Sequence, residues 1–269
     1  MHAPSVYDFR ERDDILFAYL SDSDSVNVTS IYEMYPLGFF AIKQRLQEHG
    51  FQTDIVNLAS LMLMHPQIDV DALIARLEAP IFGLDLHWMA HCHGSIEIAK
   101  RIKAIHPESL VIFGGISSTY YADQLIQYPA VDVVVKGYDT LDPMTLLMQA
   151  VKRGERTFDH IPNLVYKHNG EVIDTGFTHK PMKNYNDVSI DWSYYRDSKD
   201  VSSRTKLIMT LPNTGCAFDC PFCGGSRYAT NKIMGIKKTL VAKDNSRVIH
   251  ELQSLGDTAK MTSIYALQC

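Results

Sequence analysis

A cysteine-rich stretch is the part of this sequence best suited to chemistry. Cys216, Cys220 and Cys223 form a C-x-x-x-C-x-x-C pattern. An apolar run at 206–211, which predicts a strand, and a Pro-Asn-Thr-Gly turn at 212–215 precede it. Cysteine thiolates are ligands of iron–sulfur clusters. Three thiolates on one loop can therefore bind three corners of a cluster and leave its fourth corner open for a ligand.

A structural zinc ion is the alternative for these cysteines. Zinc takes four ligands, and C-x-x-C pairs normally occur twice in a zinc site. Cys269 or His250 could serve as the fourth ligand, but neither belongs to a recognisable zinc-binding pattern. The missing second pair favours a cluster over zinc. Cys92 matches no motif, and we expect it to pack as a small hydrophobic residue.

Composition limits the classes of function. The chain has 269 residues, 46% hydrophobic and 21% charged, with a net charge of -5, which is typical of a globular protein. No basic block indicates a nucleic-acid partner, and no apolar stretch is long enough to span a bilayer. From the polar, mixed-charge residues 1–11 we expect no signal peptide. Five cysteines, three of them clustered, indicate a metal site in a reducing compartment, so we expect a cytoplasmic protein.

The N-terminal half alternates predicted strands with predicted helices. Apolar runs predict strands at 15–20, 51–58, 81–86, 110–113 and 131–135. Amphipathic stretches predict helices at 38–49, 70–77, 95–105, 122–127 and 143–152. This alternation indicates the α/β class, with a doubly wound, parallel, five-stranded Rossmann-like or flavodoxin-like domain. Such folds bind ligands at the carboxyl ends of their strands, where the loops are 21–36, 85–94, 114–119 and 137–139.

The pattern changes after this domain. Two short apolar runs at 164–167 and 171–174 flank Asn169-Gly170, a strong hairpin signal. A polar and aromatic stretch follows, in which Trp192, Tyr194 and Tyr195 are expected to pack between domains. A new α/β unit begins at the cysteine region, with a helix at 247–255 and a strand at 263–267. The predicted parts are a Rossmann-like domain at 1–153, a hairpin and linker at 154–204, and a third domain at 205–269.

These features together resemble the radical S-adenosylmethionine (SAM) superfamily, and within it the class that carries a B12-binding domain. The cysteine loop matches down to Phe222 before its last cysteine, with Gly-Gly-Ser at 224–226 behind it. In the N-terminal domain the matching strings are YPLG at 35–38, FGGISST at 113–119 and VDVVVKG at 131–137. The order of the parts is also that of the class.

For the cysteine loop, the resemblance implies a [4Fe-4S] cluster held by Cys216, Cys220 and Cys223. The unligated iron then chelates the amino and carboxylate groups of SAM, with Phe222 against the adenine and Gly224 and Gly225 beside the bound SAM. One-electron reduction cleaves the sulfonium and yields a 5'-deoxyadenosyl radical. The electron is expected to come from a flavodoxin or a ferredoxin.

For the N-terminal domain, the resemblance implies a cobalamin site. Its expected residues are Gly114, Gly115, Ser117, Thr119, His87 and Gly137. The chain departs from the D-x-H-x-x-G motif of many cobalamin domains, because the loop at 21–36 contains no histidine. The nearest string is Asp85-Leu86-His87, followed by His91 and His93. These histidines either line the ligand pocket or form local hydrogen bonds at a loop and a helix start.

By the same resemblance, too few residues follow Cys223 for a complete barrel of six strand–helix units. We therefore expect the first units of a (β/α) partial barrel, apparently truncated. The predicted function is that of a radical SAM enzyme, or a fragment of one, that modifies an unactivated carbon of a small-molecule or unknown substrate, with methyl transfer and ring rearrangement as candidate reactions. The alternative is a noncatalytic corrinoid- or nucleotide-binding module with a barrel remnant.

Overall fold

The structure is a computed structural model that describes residues 37–56, 58, 61–62, 65–179, 186–188, 190–192, 207–210, 212–234, 240–255 and 263–266. Its α-helices are α1 (Leu37–Glu48), α2 (Val70–Ala75), α3 (Cys92–Ile105), α4 (Ile116–Tyr120), α5 (Ala122–Leu125), α6 (Leu141–Lys152), α7 (Arg227–Met234) and α8 (Asn245–Leu255). Its strands are β1 (Ile81–Asp85), β2 (Leu110–Gly114), β3 (Val133–Val135), β4 (Leu164–His168), β5 (Glu171–Asp174), β6 (Leu207–Thr210), β7 (Asn213–Gly215), β8 (Leu240–Ala242) and β9 (Ser263–Ala266).

The largest described sheet has the strand order β1-β2-β3-β4-β5. The first three strands are parallel, so that Asp85 pairs with Gly114 and Phe113 pairs with Val134. Strand β4 runs antiparallel to β3, and β5 runs antiparallel to β4. The carboxyl ends of β1, β2 and β3 therefore lie at one edge of the sheet.

Helices cover both faces of this sheet. On one face, Phe113 and Val134 pack in a core that includes Ile96, Ala99 and Ile102, which recur every third residue along α3. On the other face, a separate core contains Ile112 and Val133 of the strands together with Leu147 and Ala150 of α6. Successive strand residues alternate between the two cores. The predicted doubly wound α/β architecture is confirmed.

The identity of the five strands differs from the prediction. The predicted strand at 15–20 lies outside the described residues. The part of 51–58 that is described as continuous chain, 51–56, is not a strand. Its polar residues Gln52 and Asp54 are exposed, and the amide of Phe51 bonds the Leu46 carbonyl, which closes the end of α1. This segment leads the chain out of α1 and is not a buried strand. The described sheet is mixed rather than wholly parallel.

The fourth and fifth strands come from the predicted hairpin. Asn169 and Gly170 have φ angles of 50° and 82°, the left-handed values that a two-residue type I′ turn requires. Strand β4 is buried beside β3, and the side chain of Tyr166 is fully buried. The hairpin therefore extends the sheet of the N-terminal domain, while the three-part division of the chain stays a prediction.

The region around the cysteines forms two small sheets. Strands β6 and β9 are parallel, and β7 and β8 are antiparallel. The predicted strands at 206–211 and 263–267 and the predicted helix at 247–255 are confirmed as β6, β9 and α8. The turn predicted at 212–215 is wrong for Asn213–Gly215, which forms strand β7 and pairs with Leu240–Ala242. The two strands are far apart in the sequence, so no local pattern indicates their pairing. No described helix has the length and apolarity needed to span a membrane.

Candidate cofactor site

The loops at the carboxyl edge of the sheet open into a large cavity. Strands β1, β2 and β3 end there at Asp85, Gly114 and Val135, all of which line it. The cavity has a volume of about 2300 Å³. Its lining also extends along α1, α2 and the beginning of β1, so its volume exceeds the roughly 300–1000 Å³ of ordinary small-molecule pockets.

The cavity brings together predicted residues from both halves of the chain. The predicted residues that line it are His87, Gly114, Gly115, Ser117, Gly137, Cys223, Gly224 and Gly225. Thr119, Phe222, Cys216 and Cys220 are described but are not part of its lining. The carboxyl edge of the sheet and the end of the cysteine loop therefore face one space.

The two glycines after β2 have different roles. A Cβ on Gly115, whose φ is 112°, would lie 2.8 Å from the backbone of Leu86 and His87. A Cβ on Gly114 would meet no atom within 4 Å. Gly115 is thus required by the close packing of two backbone segments, whereas Gly114 leaves open space beside the cavity. Only Gly114 fits the expectation that a glycine admits a ligand here.

Buried hydroxyl groups tie the loops of the carboxyl edge together. The Ser117 hydroxyl donates to the His87 carbonyl at 2.9 Å. The Thr119 hydroxyl donates to the Gly115 carbonyl at 3.0 Å and accepts from the Gly137 amide at 2.9 Å. Both side chains are nearly inaccessible. Their hydroxyls therefore fix the backbone that surrounds the cavity.

The histidines after β1 partly match the pocket-lining interpretation. His87 and His91 line the cavity, whereas His93 does not. His91 stands at the N-cap of α3 but makes no side-chain capping hydrogen bond. Burial lowers the pKa of His87, although nearby Asp85 opposes the shift. The neutral imidazole that this favours is the form of histidine that binds metals.

Asp85 lies beside His87 in the same wall of the cavity. Burial raises the pKa of the Asp85 carboxyl, and the backbone hydrogen bond from His87 only partly opposes this. The Asp85 carbonyl accepts from the Ser95 hydroxyl at 2.9 Å, which fixes the end of β1 against α3. Trp88, next in the chain, packs edge-on to the His87 ring at 4.9 Å between centroids.

The cysteine loop presents three free thiols. Cys216 and Cys220 are half-buried and Cys223 is exposed. The amide of Phe218 donates to the Cys216 sulfur at 3.4 Å, as amides do around iron–sulfur ligands. The amide of Cys223 bonds the Cys220 carbonyl, which makes the second half of the loop a tight turn.

This donor set fits an iron–sulfur cluster. Three thiols lie on one short loop that opens to a cavity, and one of them lines it. Within the described ranges, no three His, Cys, Asp or Glu side chains are grouped as ligands of a single metal ion. A cluster does not require that grouping, because each thiolate binds a different iron. Phe222 is 90% exposed beside the loop and is free to contact a ligand.

Two tyrosines join the cysteine region to the carboxyl edge of the sheet. The Tyr120 hydroxyl, at the end of α4, donates to the Gly224 carbonyl. The Tyr138 hydroxyl lies 3.3 Å from the Thr230 hydroxyl on α7. Burial raises the pKa of Tyr120. No sequence motif singles out either tyrosine, although each directly follows a matched string, FGGISST or VDVVVKG.

This chain is similar to a known methylase and to solved structures of radical SAM enzymes. The hopanoid C-3 methylase of Methylococcus capsulatus is 23% identical over 220 residues, which make up 79% of this chain and 40% of that protein. The solved structure of the radical SAM methyltransferase TsrM from Kitasatospora setae, with cobalamin and a [4Fe-4S] cluster bound, matches with a TM-score of 0.59 at 17% identity, over 82% of this chain and 44% of TsrM.

A further solved structure is that of the cobalamin-dependent SAM radical enzyme OxsB, with aqua-cobalamin and SAM bound. It matches with a TM-score of 0.52 at 14% identity, over 83% of this chain and 29% of OxsB. At these identities the solved structures establish the fold alone. The chain spans less than half the length of each of these relatives.

The B12 binding domain family matches residues 24–145, a range that contains the described cavity loops after β1, β2 and β3. The match and the solved structures agree on the domain that the sequence predicts. The predicted resemblance is confirmed: this chain is similar to cobalamin-binding radical SAM proteins, and its residues 24–145 match the B12 binding domain family.

Proposed function

We propose that this chain holds a corrinoid and a SAM-binding [4Fe-4S] cluster at one shared cavity, as part of a radical SAM enzyme that methylates an unactivated carbon. One observation carries the proposal: the carboxyl edge of the B12-type sheet and the end of the cysteine loop line the same space. Two cofactors that exchange a methyl group need such a shared space, because reacting atoms must come within about 3–3.5 Å.

Cys216, Cys220 and Cys223 would hold the cluster, which when loaded with SAM supplies one-electron cleavage of the sulfonium. The chain itself provides the geometry. The turn at Cys220–Cys223 directs Cys223 to the cavity, and exposed Phe222 offers an aromatic face for the adenine. The backbone at Gly224 and Gly225 lines the cavity and would bind SAM.

The carboxyl edge of the sheet would hold the corrinoid, which supplies a methyl group carried on cobalt. Gly114 lets the chain approach a large flat ligand or its nucleotide tail, and Gly137 also lines the cavity. His87 presents a half-buried imidazole at the same wall, and Ser117 and Thr119 hold the surrounding backbone rigid. The loop at 21–36 contains no histidine, so no imidazole from it would bind the cobalt.

The substrate and the electron donor complete the proposal. The cavity wall is mostly apolar, with Trp88, Met89 and Tyr121 exposed along it, which suits a small molecule with an apolar body. Cys223 is exposed, so an electron from a flavodoxin or a ferredoxin would have a short path to the cluster.

Anaerobic reconstitution with iron and sulfide, followed by addition of hydroxocobalamin, tests the two sites separately. Wild type should take up four irons per chain, the content of one [4Fe-4S] cluster, and bind one corrinoid. A Cys216→Ala/Cys220→Ala/Cys223→Ala variant should lose the cluster and keep the corrinoid. Cys92→Ala is the matched control, because this half-buried cysteine lies outside the loop.

Each outcome has a clear meaning. Equal iron in wild type and the triple variant, or stoichiometric zinc in the native protein, would refute the cluster. A corrinoid bound without any cluster would support the alternative of a noncatalytic module. Absence of corrinoid binding would leave the sheet edge as a site for some other ligand.

A further inference from the structure

An ion pair connects the cysteine loop to the helix that follows it. Asp219 lies between the first and second cysteines, and Arg227 is the first residue of α7. The Arg227 Nε lies 2.9 and 3.0 Å from the two carboxylate oxygens of Asp219, and its Nη2 also donates to that carboxylate. The pair is therefore a bidentate fork, the geometry that fixes an arginine most firmly.

The backbone of the same arginine adds a second connection between the loop and α7. The Arg227 amide donates to the Phe218 carbonyl at 2.9 Å, and the Phe218 amide donates to the Cys216 sulfur at 3.4 Å. Ser226, buried just before α7, accepts from the Ala229 amide and caps the helix. One positive and one negative charge are thus held next to the loop, because Asp219 directly precedes Cys220 and Arg227 lies four residues after Cys223.

Electrostatics connects this pair to the thiols. The fork holds the guanidinium and carboxylate charges beside the loop, and the Phe218 backbone links Arg227 to the Cys216 sulfur. Both side chains are about half exposed, so water screens but does not remove their fields.

We infer that Asp219 and Arg227 act as a charge-balanced positioning pair that sets the reduction potential of the cluster held by the neighbouring cysteines. The inference rests on the proposed cluster. Reduction adds one negative charge to a cluster, so a nearby positive charge raises its potential and a nearby negative charge lowers it. In wild type the two charges offset each other while the fork holds the loop.

The two single variants therefore have opposite effects. Asp219→Asn removes the negative charge, leaves the arginine uncompensated and should raise the midpoint potential. Arg227→Gln leaves the carboxylate uncompensated and should lower it. The double variant Asp219→Asn/Arg227→Gln has the same net charge as wild type and should return close to the wild-type potential. A role limited to holding the loop predicts the same direction of change for both single variants.

The experiment is a redox titration of the reconstituted cluster, followed by electron paramagnetic resonance, at low and high ionic strength. Arg227→Lys is the first control: it keeps the charge, breaks the fork, and should leave the potential near that of wild type. Lys232→Gln is the second: it removes a positive charge more than one turn further along α7, at an exposed position, and should change the potential less than Arg227→Gln does. Screening should shrink all shifts at high salt.

Opposite shifts that cancel in the double variant support the inference. Shifts of the same sign, or none in variants with wild-type iron content, overturn it and leave the proposed cluster intact. If a single variant loses its iron, the double variant and Arg227→Lys still decide between charge and structure. A wild-type chain that forms no cluster overturns both proposals.

Discussion

Gly114 and Gly115 are neighbours with separate constraints, which a pair of matched substitutions distinguishes. Gly115→Ala forces a side chain onto a φ of 112° and into contact with the backbone of Leu86 and His87, so we expect a loss of about 1–3 kcal/mol. Gly114→Ala meets no atom and should change the free energy of unfolding by less than about 0.5 kcal/mol.

For corrinoid binding, in contrast to stability, we expect the larger effect from substitution of Gly114. Gly114→Ala projects a methyl group toward the cavity and should weaken hydroxocobalamin binding in a folded protein. Thermal unfolding and a hydroxocobalamin titration measure the two effects independently. Equal stability of the two variants would contradict the packing described for Gly115. Unchanged affinity in Gly114→Ala would place the corrinoid elsewhere.

Among the secondary-structure elements, α8 is fixed by a buried ion pair. Lys243, just after β8, lies 2.5 Å from Glu251 on α8, and their side chains are 2% and 3% exposed. The same carboxylate accepts from the Ile190 amide at 2.9 Å. This pair therefore connects a strand end, a helix and the segment that precedes the cysteine region.

Glu251→Gln keeps the size and the acceptor of this side chain but removes its charge. Breaking a buried pair costs about 3–5 kcal/mol, and we expect a loss of that order at pH 7. Burial already lowers the pKa of Lys243, and without the carboxylate that pKa should fall further. The unfolded chain then binds more protons than the native state between the lowered pKa and about 10.5, so the stability of the variant should rise with pH in that window.

Denaturant unfolding at several pH values measures this effect. Lys243→Met/Glu251→Leu, which removes both charges, is the matched control and should show no such rise. A Glu251→Gln variant whose stability is independent of pH up to 10 would contradict the lowered pKa of Lys243 in the folded variant.

Local pattern explains which elements the sequence predicted. Helix α3 has regularly spaced apolar residues, and the β4–β5 hairpin has an Asn-Gly turn, so short-range rules suffice for both. Strands β7 and β8 are three residues each and pair across α7, so their partner is decided by tertiary contacts. The segment at 51–56 contains apolar residues but is used as the exit of α1.

The same distinction between local sequence pattern and tertiary contact applies to the candidate site. The cysteines and the glycines were visible because their chemistry or conformation is unusual. Tyr120 and Tyr138 were not, since a tyrosine acquires a special role only when distant segments meet. Their partners are 104 and 92 residues away in the chain.

At the scale of the whole molecule, the described residues form two sets of contacts, or joints, that connect the sheet domain to the cysteine region. One is formed by the segment Ile190–Trp192. Its Trp192 packs on Phe40 of α1 at 5.5 Å between ring centroids, and the Trp192 amide donates to Ser254 of α8 at 2.9 Å. Trp192 thus packs between the two parts as the sequence predicts, while Tyr194 and Tyr195 lie outside the described residues.

The other joint is at the cavity itself, where Tyr120 bonds the Gly224 carbonyl and Tyr138 contacts Thr230. Because this joint lies between the two proposed cofactor sites, we expect it to couple them. Occupancy of one site should then change the affinity of the other, and by linkage the effect must be reciprocal. A coupling of about 1–3 kcal/mol, or roughly 5–150-fold in affinity, is typical of such linked sites.

Tyr120→Phe removes the hydroxyl but keeps the ring, so each site alone should bind its ligand almost as in wild type. The loss of one hydrogen bond should cost about 1 kcal/mol of stability, and the coupling between hydroxocobalamin and SAM should fall toward zero. SAM titrations of the cluster-loaded protein, with and without hydroxocobalamin, measure that coupling. Tyr128→Phe is the matched control, because Tyr128 is exposed and lies outside the cavity lining. Coupling that persists unchanged in Tyr120→Phe would assign communication between the sites to the other joint, where Trp192 packs between α1 and α8.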